Sequence, residues 1–213
     1  MRLQAQRAKG SLTATRLYLV RHGRVAEGHT DRYHGHNDIG LSPQGVRQFE
    51  DLAAQLAATP LAGVYSSDLT RAITGAEIIS RGRDLKPQII PEFREVNFGS
   101  WEGLTFAEIM AQYPAELEER FRDLPNFRIP GGESLKDVRD RALPKLQELL
   151  ARHANESFLL VAHTGLLRYE VALGPEEIQK VRKAGGFEER LGAHALEGVP
   201  EPDAKKLRSL HAV

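Results

Sequence analysis

The sequence has no cysteine among its 213 residues. This absence excludes disulfides, zinc–thiolate sites, iron–sulfur clusters and a cysteine nucleophile. The chain also lacks an excess of charge of one sign, because 29 Lys and Arg residues balance 29 Asp and Glu residues. Such a balance argues against broad attraction to nucleic acid or to an anionic membrane. We therefore expect neither as a partner, and any functional positive charge must be local.

Long hydrophobic runs are missing as well. No apolar stretch approaches the roughly twenty residues of a membrane span, and the N-terminus lacks the apolar core of a secretion signal. The default expectation is a soluble, cytoplasmic protein, either a monomer or a homodimer. Residues 1–15 are basic and contain no acid, which is typical of a flexible tail, although an organelle transit peptide shares this feature.

Short apolar runs alternate with helical patterns along the chain. Buried strands are predicted at residues 17–20, 63–65 and 158–162. Helices are predicted from the Ser42-Pro43 start to about residue 58, from about 68 to 80, after the cap Thr105, and from the cap Ser134 to about Arg152. This alternation predicts an α/β fold, a three-layer α/β/α sandwich with a mostly parallel central sheet.

Two segments have no strand pattern. Residues 103–130 carry aromatics, Arg and Pro, and they predict a helical lid over the carboxyl ends of the strands, where such sheets bind ligands. Residues 169–213 are charged and interrupted by glycine and proline. They are a diverged ending of the domain, a replacement tail or a sequence irregularity. We assign the main domain to residues 16–168.

Two predicted strands end directly in a histidine. The first leads into Arg21-His22-Gly23 and the last into His163-Thr164-Gly165. A single histidine after a strand is more often structural. Two at equivalent places, one of them beside an arginine, favour a functional site, because the carboxyl ends of parallel strands meet at one edge of the sheet.

Arg71, near the start of the second predicted helix, adds another guanidinium to this edge. Arginine offers planar, bidentate donors suited to phosphoryl oxygens, and the helix start after His163 adds backbone N–H groups. The edge therefore predicts a phosphate pocket. The alternative is a surface Arg71 paired with Asp68 or Glu77.

Four ordered segments resemble the histidine phosphatase superfamily, also called phosphoglycerate mutase-like. They are RHG at 21–23, SSDLTRA at 66–72, PEFREVNFGSWEG at 91–103 and VAHTG at 161–165. The resemblance extends over residues 16–168. It implies the phosphoglycerate mutase-like fold, a small phosphate ester as ligand, a phosphohistidine intermediate, and no metal or other cofactor.

The resemblance also implies a role for each site residue. His22 is similar to the family's nucleophile, Arg21 and Arg71 to its phosphate clamps, His163 to its second pocket histidine and Glu95 to its proton donor. An imidazole of ordinary pKa near 6.5 has an unprotonated nitrogen available near neutral pH. Two arginines and a protonated His163 would stabilise the transferring phosphoryl group.

Glu95 must hold a proton to serve as the donor. We expect the nearby phosphate to raise its pKa by like-charge repulsion. The alternative is an ion pair between Glu95 and Arg94 on the surface. Glu92 and Glu102 are neighbouring carboxylates that could be mistaken for the donor.

His34, Gly35 and His36 fall where the family has a substrate loop whose backbone helps hold the phosphate. Thr164 and Gly165, at the helix start, are the other candidates for substrate binding. The His-x-His spacing could also suit a metal pair, but further ligands are not apparent nearby, and the resemblance implies no metal.

The segments YHGHNDIGLSPQG and FGSWEGL resemble the α-ribazole phosphatase branch. This makes a small phosphorylated metabolite the expected substrate, with α-ribazole 5′-phosphate of cobalamin biosynthesis as a candidate. Many relatives carry Glu-Thr or Glu-Ser after RHG and an Asn shortly beyond, where this chain has Arg24, Val25 and Gly28. These departures and the unusual segment 169–213 make a catalytically silent phospholigand-binding protein one alternative. A mutase, in which a substrate hydroxyl instead of water meets the phosphohistidine, is the other.

Overall fold

The computed structural model describes residues 15–26, 29 and 31–167. The expectations for residues 1–14, for Gly28 and for the segment 169–213 lie outside the described residues. Four parallel strands form one sheet in the order β1-β4-β2-β3. They are β1 (Arg16–Arg21), β2 (Gly63–Ser66), β3 (Gln88–Ile89) and β4 (Ser157–Ala162). The three predicted strands are confirmed, whereas β3 was not predicted because two exposed residues are too short for a recognisable pattern.

Six helices are described, and capping side chains start several of them. They are α1 (Pro43–Gln55), α2 (Thr70–Ser80), α3 (Phe106–Gln112), α4 (Pro114–Arg122), α5 (Leu135–Arg152) and α6 (Thr164–Leu167). Ser42 caps α1, while Thr105 and Ser134 form capping boxes before α3 and α5. None of the described helices has the length and apolar character needed to cross a membrane.

Two predicted helix boundaries were wrong by two or three residues. Helix α2 begins at Thr70 rather than at Asp68, because the Asp38 carboxylate accepts hydrogen bonds from the Thr70 N–H and hydroxyl and caps the helix there. Helix α1 ends at Gln55, and residues 56–58 form a turn. Arg83 donates to the Leu56 carbonyl of this turn.

Strand β4 lies in the middle of the core, and all six of its residues are buried. Its side chains alternate between the two faces, as a pleated strand requires. One face packs on α5 through a cluster of Leu17, Tyr65, Phe93, Ala142, Leu146, Leu149, Phe158, Leu160 and Ala162. The other packs on α1 and α2 through a cluster that includes Val20, Phe49, Val64, Ala72, Ile79, Leu159 and Val161. The predicted three-layer sandwich is confirmed.

Residues 103–130 form a helical insertion, as predicted, with helices α3 and α4. The insertion contributes to a third apolar cluster that also contains residues from the start of α5. The members of this cluster are Val96, Trp101, Ile109, Leu117, Phe127, Ile129, Leu135 and Val138. This packing accounts for the fold of the insertion, while its movement as a lid stays a prediction.

Candidate active site

The pairing of β1 with β4 places His22 beside His163. Arg21 and Ala162 are partners in the parallel ladder, and the His22 N–H donates to the Ala162 carbonyl at 3.1 Å. The histidines follow these two residues directly, so their separation reflects the spacing of about 4.8 Å between neighbouring strands. Their ring centroids are 5.2 Å apart. The structure therefore brings the two predicted site histidines together.

His22 is a neutral imidazole with a defined tautomer. Its Nδ1 lies 2.9 Å from the Gly23 carbonyl oxygen. Because a carbonyl can only accept, Nδ1 must carry the hydrogen, and Nε2 retains the lone pair. Burial, the charge of Arg71 and that of Arg21 lower the pKa of His22 to about 3. A nucleophilic ring nitrogen is thus available throughout the neutral pH range.

His163 is completely buried at the end of β4. Its Nε2 lies 2.7 Å from the Ser67 hydroxyl, and its Nδ1 has no hydrogen-bond partner among the described residues. Burial, then the charges of His22 and Arg71, lowers the pKa of His163 well below its ordinary value. His163 is therefore neutral in the free protein, and the expected protonated form requires the added negative charge of a phosphate.

Arg71 is also completely buried, so its expected alternative as a surface residue is wrong. Asp68 instead forms a bidentate pair with Arg94 at 2.6 Å. The terminal nitrogens of Arg71 donate to three carbonyls of the loop at residues 34–37, those of His34, Gly35 and Asn37. The Nε–H has no partner within the described part of the chain. One donor of this guanidinium is therefore buried and unsatisfied, and its contact with a phosphate stays a prediction.

Glu102 binds the backbone N–H groups of the same loop. Its carboxylate accepts hydrogen bonds of 2.7 to 3.3 Å from four backbone N–H groups, those of Gly35, His36, Asn37 and Phe98. The N–H groups of Gly35, His36 and Asn37 are thus engaged with Glu102, and contact of this loop with a phosphate stays a prediction. The Glu102 carboxylate therefore stabilises the loop through hydrogen bonds, and it is not the residue assigned as the proton donor.

Glu95 is buried, with 6% of its surface exposed, and it does not pair with Arg94. Its Oε1 accepts from the N–H groups of Val96 and Gly165, each at 2.8 Å. Burial raises the pKa of Glu95 above its ordinary value. A raised pKa was expected, but desolvation within the protein produces it without any phosphate.

The backbone N–H of Gly165 is bound to Glu95. This N–H donates to the carboxylate, and a Cβ at this position would lie 2.1 Å from Glu95 Oε1. The Gly165 N–H is therefore engaged with the acid, and direct contact of Gly165 with substrate stays a prediction. Thr164, at the first position of α6, is partly exposed, and its contact with substrate stays a prediction.

Arg21 is exposed at the end of β1, and its positive charge reaches the other site residues. It lowers the pKa values of both His22 and His163. It also acts to lower the pKa of Glu95, although the effect of burial on that carboxyl is larger. All five residues assigned from the family resemblance are thus electrostatically coupled in one site.

His34 and His36 lie in the loop held by Arg71 and Glu102. Burial is the main cause that lowers the pKa values of both imidazoles. The His34 ring lies 5.1 Å from that of His29. No cluster of three or more His, Asp or Glu side chains suited to a metal ion occurs within residues 15–26, 29 and 31–167.

Three side chains at the site were missed in the sequence: Ser67, Arg141 and Glu133. Ser67 lies in the SSDLTRA segment, but only the tertiary structure places it against His163. Arg141 and Glu133 bind the segment that carries Glu95. Their partners are 36 to 49 residues away along the chain, so no local pattern indicates this role.

The arrangement combines a neutral nucleophile, buried positive charge and a carboxyl whose pKa is raised by burial. Negative charge that develops on a transferring phosphoryl group is stabilised by fixed donors in such a site. The protonated carboxyl can neutralise a departing alkoxide. These are the elements of phosphoryl transfer to a histidine.

Comparison with known proteins gives the same picture. Residues 17–181 match the model of the histidine phosphatase superfamily (branch 1). The chain is 34% identical over 155 residues to phosphoserine phosphatase 1 of Hydrogenobacter thermophilus, covering 72% of each protein. It is 32% identical over 147 residues to a probable phosphoglycerate mutase of Proteus mirabilis, covering 69% of this chain and 68% of that one.

A solved structure is similar as well. The crystal structure of a putative α-ribazole-5′-P phosphatase from Escherichia coli superposes with a TM-score of 0.68 at 29% identity, covering 75% of this chain and 78% of the other. The residues that match the superfamily model, 17–181, include His22, Arg71, Glu95 and His163. The chain belongs to the histidine phosphatase superfamily, branch 1.

Proposed function

We propose that this chain is a phosphomonoester hydrolase that works without a metal ion and forms a phosphohistidine on His22. The observation that carries the proposal is the state of this imidazole, which is neutral, with Nδ1–H donated to Gly23 and Nε2 left as a nucleophile. Buried Glu95, whose pKa is raised, supplies the acid.

In the first step, Nε2 of His22 attacks phosphorus, and the bond from phosphorus to the ester oxygen breaks. Glu95 gives its proton to the departing alkoxide and becomes a carboxylate. Arg21, Arg71 and His163 stabilise the negative charge of the phosphoryl oxygens during the transfer.

In the second step, the Glu95 carboxylate takes a proton from a water molecule, and the oxygen of that water attacks phosphorus. The bond from phosphorus to His22 breaks, which releases inorganic phosphate and restores the neutral imidazole. Glu95 is again protonated. One carboxyl therefore serves both halves of the reaction.

We propose a small phosphorylated metabolite as the substrate. The names of the relatives support this class, because one is a phosphoserine phosphatase and another a putative α-ribazole-5′-P phosphatase. α-Ribazole 5′-phosphate is the candidate that follows from the YHGHNDIGLSPQG and FGSWEGL segments.

The test is release of inorganic phosphate from phosphoserine, α-ribazole 5′-phosphate and 3-phosphoglycerate with a metal chelator present. We expect release from at least one ester, together with an acid-labile, base-stable label on His22 after rapid quenching. The variant His22→Ala should show neither. Full activity of His22→Ala in chelator would show that the nucleophile is assigned wrongly.

A mutase is the second candidate, because a probable phosphoglycerate mutase is among the relatives. In a mutase, a hydroxyl of the retained substrate rather than water attacks the phosphohistidine. The same assay separates the two functions, since a mutase requires a bisphosphate primer and moves phosphate between hydroxyls without releasing it. Binding of these esters with neither reaction would indicate the catalytically silent alternative.

A further inference from the structure

The segment that carries Glu95 contains no strand that could position it. A short 3-10 helix spans Pro91–Phe93, and residues 94–98 have no regular secondary structure. A general acid must nevertheless be held at the leaving oxygen, because a displacement of about 1 Å can lower the rate about 100-fold. Something outside the segment must therefore hold its backbone.

Arg141 of helix α5 binds this backbone directly. One terminal nitrogen of its guanidinium donates to the Glu92 and Arg94 carbonyls at 2.5 and 3.0 Å. The other donates to the Glu95 carbonyl at 2.8 Å. A single side chain thus binds three of the four successive carbonyls that lead to and include that of the acid.

Glu133 completes the arrangement from the loop before α5. Its carboxylate accepts two hydrogen bonds from Arg141, both at 2.9 Å. It also accepts from the Asn97 N–H at 2.9 Å, and the Glu133 N–H donates to the Asn97 carbonyl at the same distance. Glu133 therefore orients the guanidinium and anchors the segment on the other side of Glu95.

The chemistry of the pair explains why arginine occupies this position. A guanidinium has five N–H donors in a rigid plane, so it can bind a carboxylate and several carbonyls together. An ammonium group at the end of a lysine has no such fixed fork. The exposed fractions of the Arg141 and Glu133 side chains, 21% and 19%, allow the pair to remain ionised.

We propose that Arg141 and Glu133 are positioning residues that hold the Glu95 carboxyl where it protonates the leaving group. The inference rests on the proposed function. The two side chains form hydrogen bonds with each other and with the backbone on both sides of Glu95. Glu133 Oε2 also lies 4.0 Å from His36 Nε2. If the pair acts by holding Glu95, its loss should slow hydrolysis mainly of substrates whose leaving group needs a proton.

That dependence defines the experiment. The seryl oxygen of phosphoserine needs a proton when it leaves, whereas the 4-nitrophenolate of 4-nitrophenyl phosphate is stable without one. The value of kcat/KM reports the steps up to departure of the leaving group. The experiment compares kcat/KM for both esters in the intact chain and in the variants Glu95→Gln, Arg141→Lys and Arg141→Gln.

We expect Arg141→Gln to lower kcat/KM for phosphoserine about 100-fold and for 4-nitrophenyl phosphate much less. Glu95→Gln should show the same selectivity, and Arg141→Lys an intermediate loss. Arg139→Gln is the matched control, because Arg139 is an exposed arginine on the same helix. It should change neither value.

Equal losses for both esters in Arg141→Gln, with selective loss in Glu95→Gln, would overturn the positioning role and leave the proposed function intact. If Glu95→Gln itself lacks selectivity, the acid is assigned wrongly and both proposals fail. Glu133→Gln provides a second test if Arg141→Gln does not fold, and it should show the same selectivity as Glu95→Gln.

Discussion

The two histidines and Glu95 reach the same site by different physical means. His22 and His163 follow paired residues of neighbouring strands, so the hydrogen-bonded ladder sets their separation. Glu95 lies in a segment without a strand, and hydrogen bonds from Gly165, Val96 and Arg141 set its position. The nucleophile side of the site is therefore built by the sheet, and the acid side by contacts between distant parts of the chain.

This difference shows where the site is sensitive. A ladder of backbone hydrogen bonds does not depend on any one side chain. A segment held by a few charged groups does, because loss of one partner leaves buried polar groups unsatisfied. The loop at residues 34–37, held by Arg71 and Glu102, belongs to the second kind. Substitutions outside the reacting groups should therefore act mainly through the acid and the loop.

The largest effect is expected for Gly165→Ala, because Gly165 lies two residues after His163 and contacts Glu95. A Cβ would lie 2.1 Å from Glu95 Oε1, so the carboxyl must move. We expect kcat/KM for an alkyl phosphate that the chain hydrolyses to fall by about 10² to 10⁴, the range that general acid catalysis supplies.

The control for this prediction is Gly40→Ala. The nearest atom to a Cβ at Gly40 is Thr70 Cγ2 at 4.0 Å, which is ordinary contact. Steady-state kinetics and urea unfolding of both variants provide the measurement. Unchanged kinetics in Gly165→Ala would contradict the placement of Glu95.

Removing the charge of Glu102 tests the loop. The variant Glu102→Gln replaces a carboxylate that accepts four N–H groups with an amide whose NH₂ faces donors. Hydrogen bonds to charged groups contribute about 1.5 to 3 kcal/mol, so we expect kcat/KM to fall roughly 10- to 100-fold. Glu92→Gln, at a neighbouring carboxylate, should have little effect. Similar losses in the two variants would argue against a specific role for Glu102.

The pH dependence of kcat/KM distinguishes the ionisation of Glu95 from that of His22 without any substitution. Because burial raises the pKa of Glu95, the protonated acid is present below that pKa and is lost as the pH rises through it. We expect kcat/KM for an alkyl phosphate that the chain hydrolyses to fall about tenfold per pH unit above the pKa of Glu95. His22, with a pKa of about 3, adds no limb near neutrality.

Comparison with Glu95→Gln identifies the group responsible for this limb. The ionisation of the substrate is the same for both proteins, so only the limb due to Glu95 should disappear in the variant. Rate measurements from pH 4 to pH 9 provide the data. The same alkaline limb in both proteins would assign it to another group.

The smallest expected loss of kcat/KM is that of Ser67→Ala, at a residue that contacts His163, the residue after strand β4. Its hydroxyl lies 2.7 Å from His163 Nε2, so Ser67→Ala removes one hydrogen bond that orients the ring. A net hydrogen bond contributes about 0.5 to 1.5 kcal/mol, which corresponds to a loss of about 2- to 10-fold in kcat/KM. A loss of 100-fold would show that the ladder alone does not position His163.

The control at this site is the preceding serine. The Ser66 hydroxyl is buried and has no hydrogen-bond partner among the described residues. We expect Ser66→Ala to have kinetics close to those of the unmodified chain, measured with the same two esters.

Several parts of the fold were predictable from local pattern. The runs that became β1, β2 and β4 are apolar and short, and the caps Ser42, Thr105 and Ser134 start helices as predicted. The two strand-end histidines followed from these strands and from the geometry of a parallel sheet. Glu95, in contrast, was assigned only by resemblance to a family, because an isolated Glu in an irregular segment has no periodicity to interpret.

Other features depend on contacts between distant residues. Arg71 and Glu102 bind the loop at residues 34–37, and Arg141 and Glu133 bind the segment around Glu95. These contacts join positions 34 to 67 residues apart. The contact of the Gly165 N–H with Glu95 was not predicted either. Side chains of this kind bind backbone groups, which every residue has, so the sequence shows no complementary pattern for them.

The alternation of strands and helices, and the sheet edge at which both histidines emerge, follow from hydrophobic periodicity and strand direction, which are local properties of the chain. Only the tertiary structure decided the neutral state of His22, the raised pKa of Glu95 and the contacts that hold the acid. These depend on burial and on the charges that the fold brings near, and both arise only when distant segments pack together.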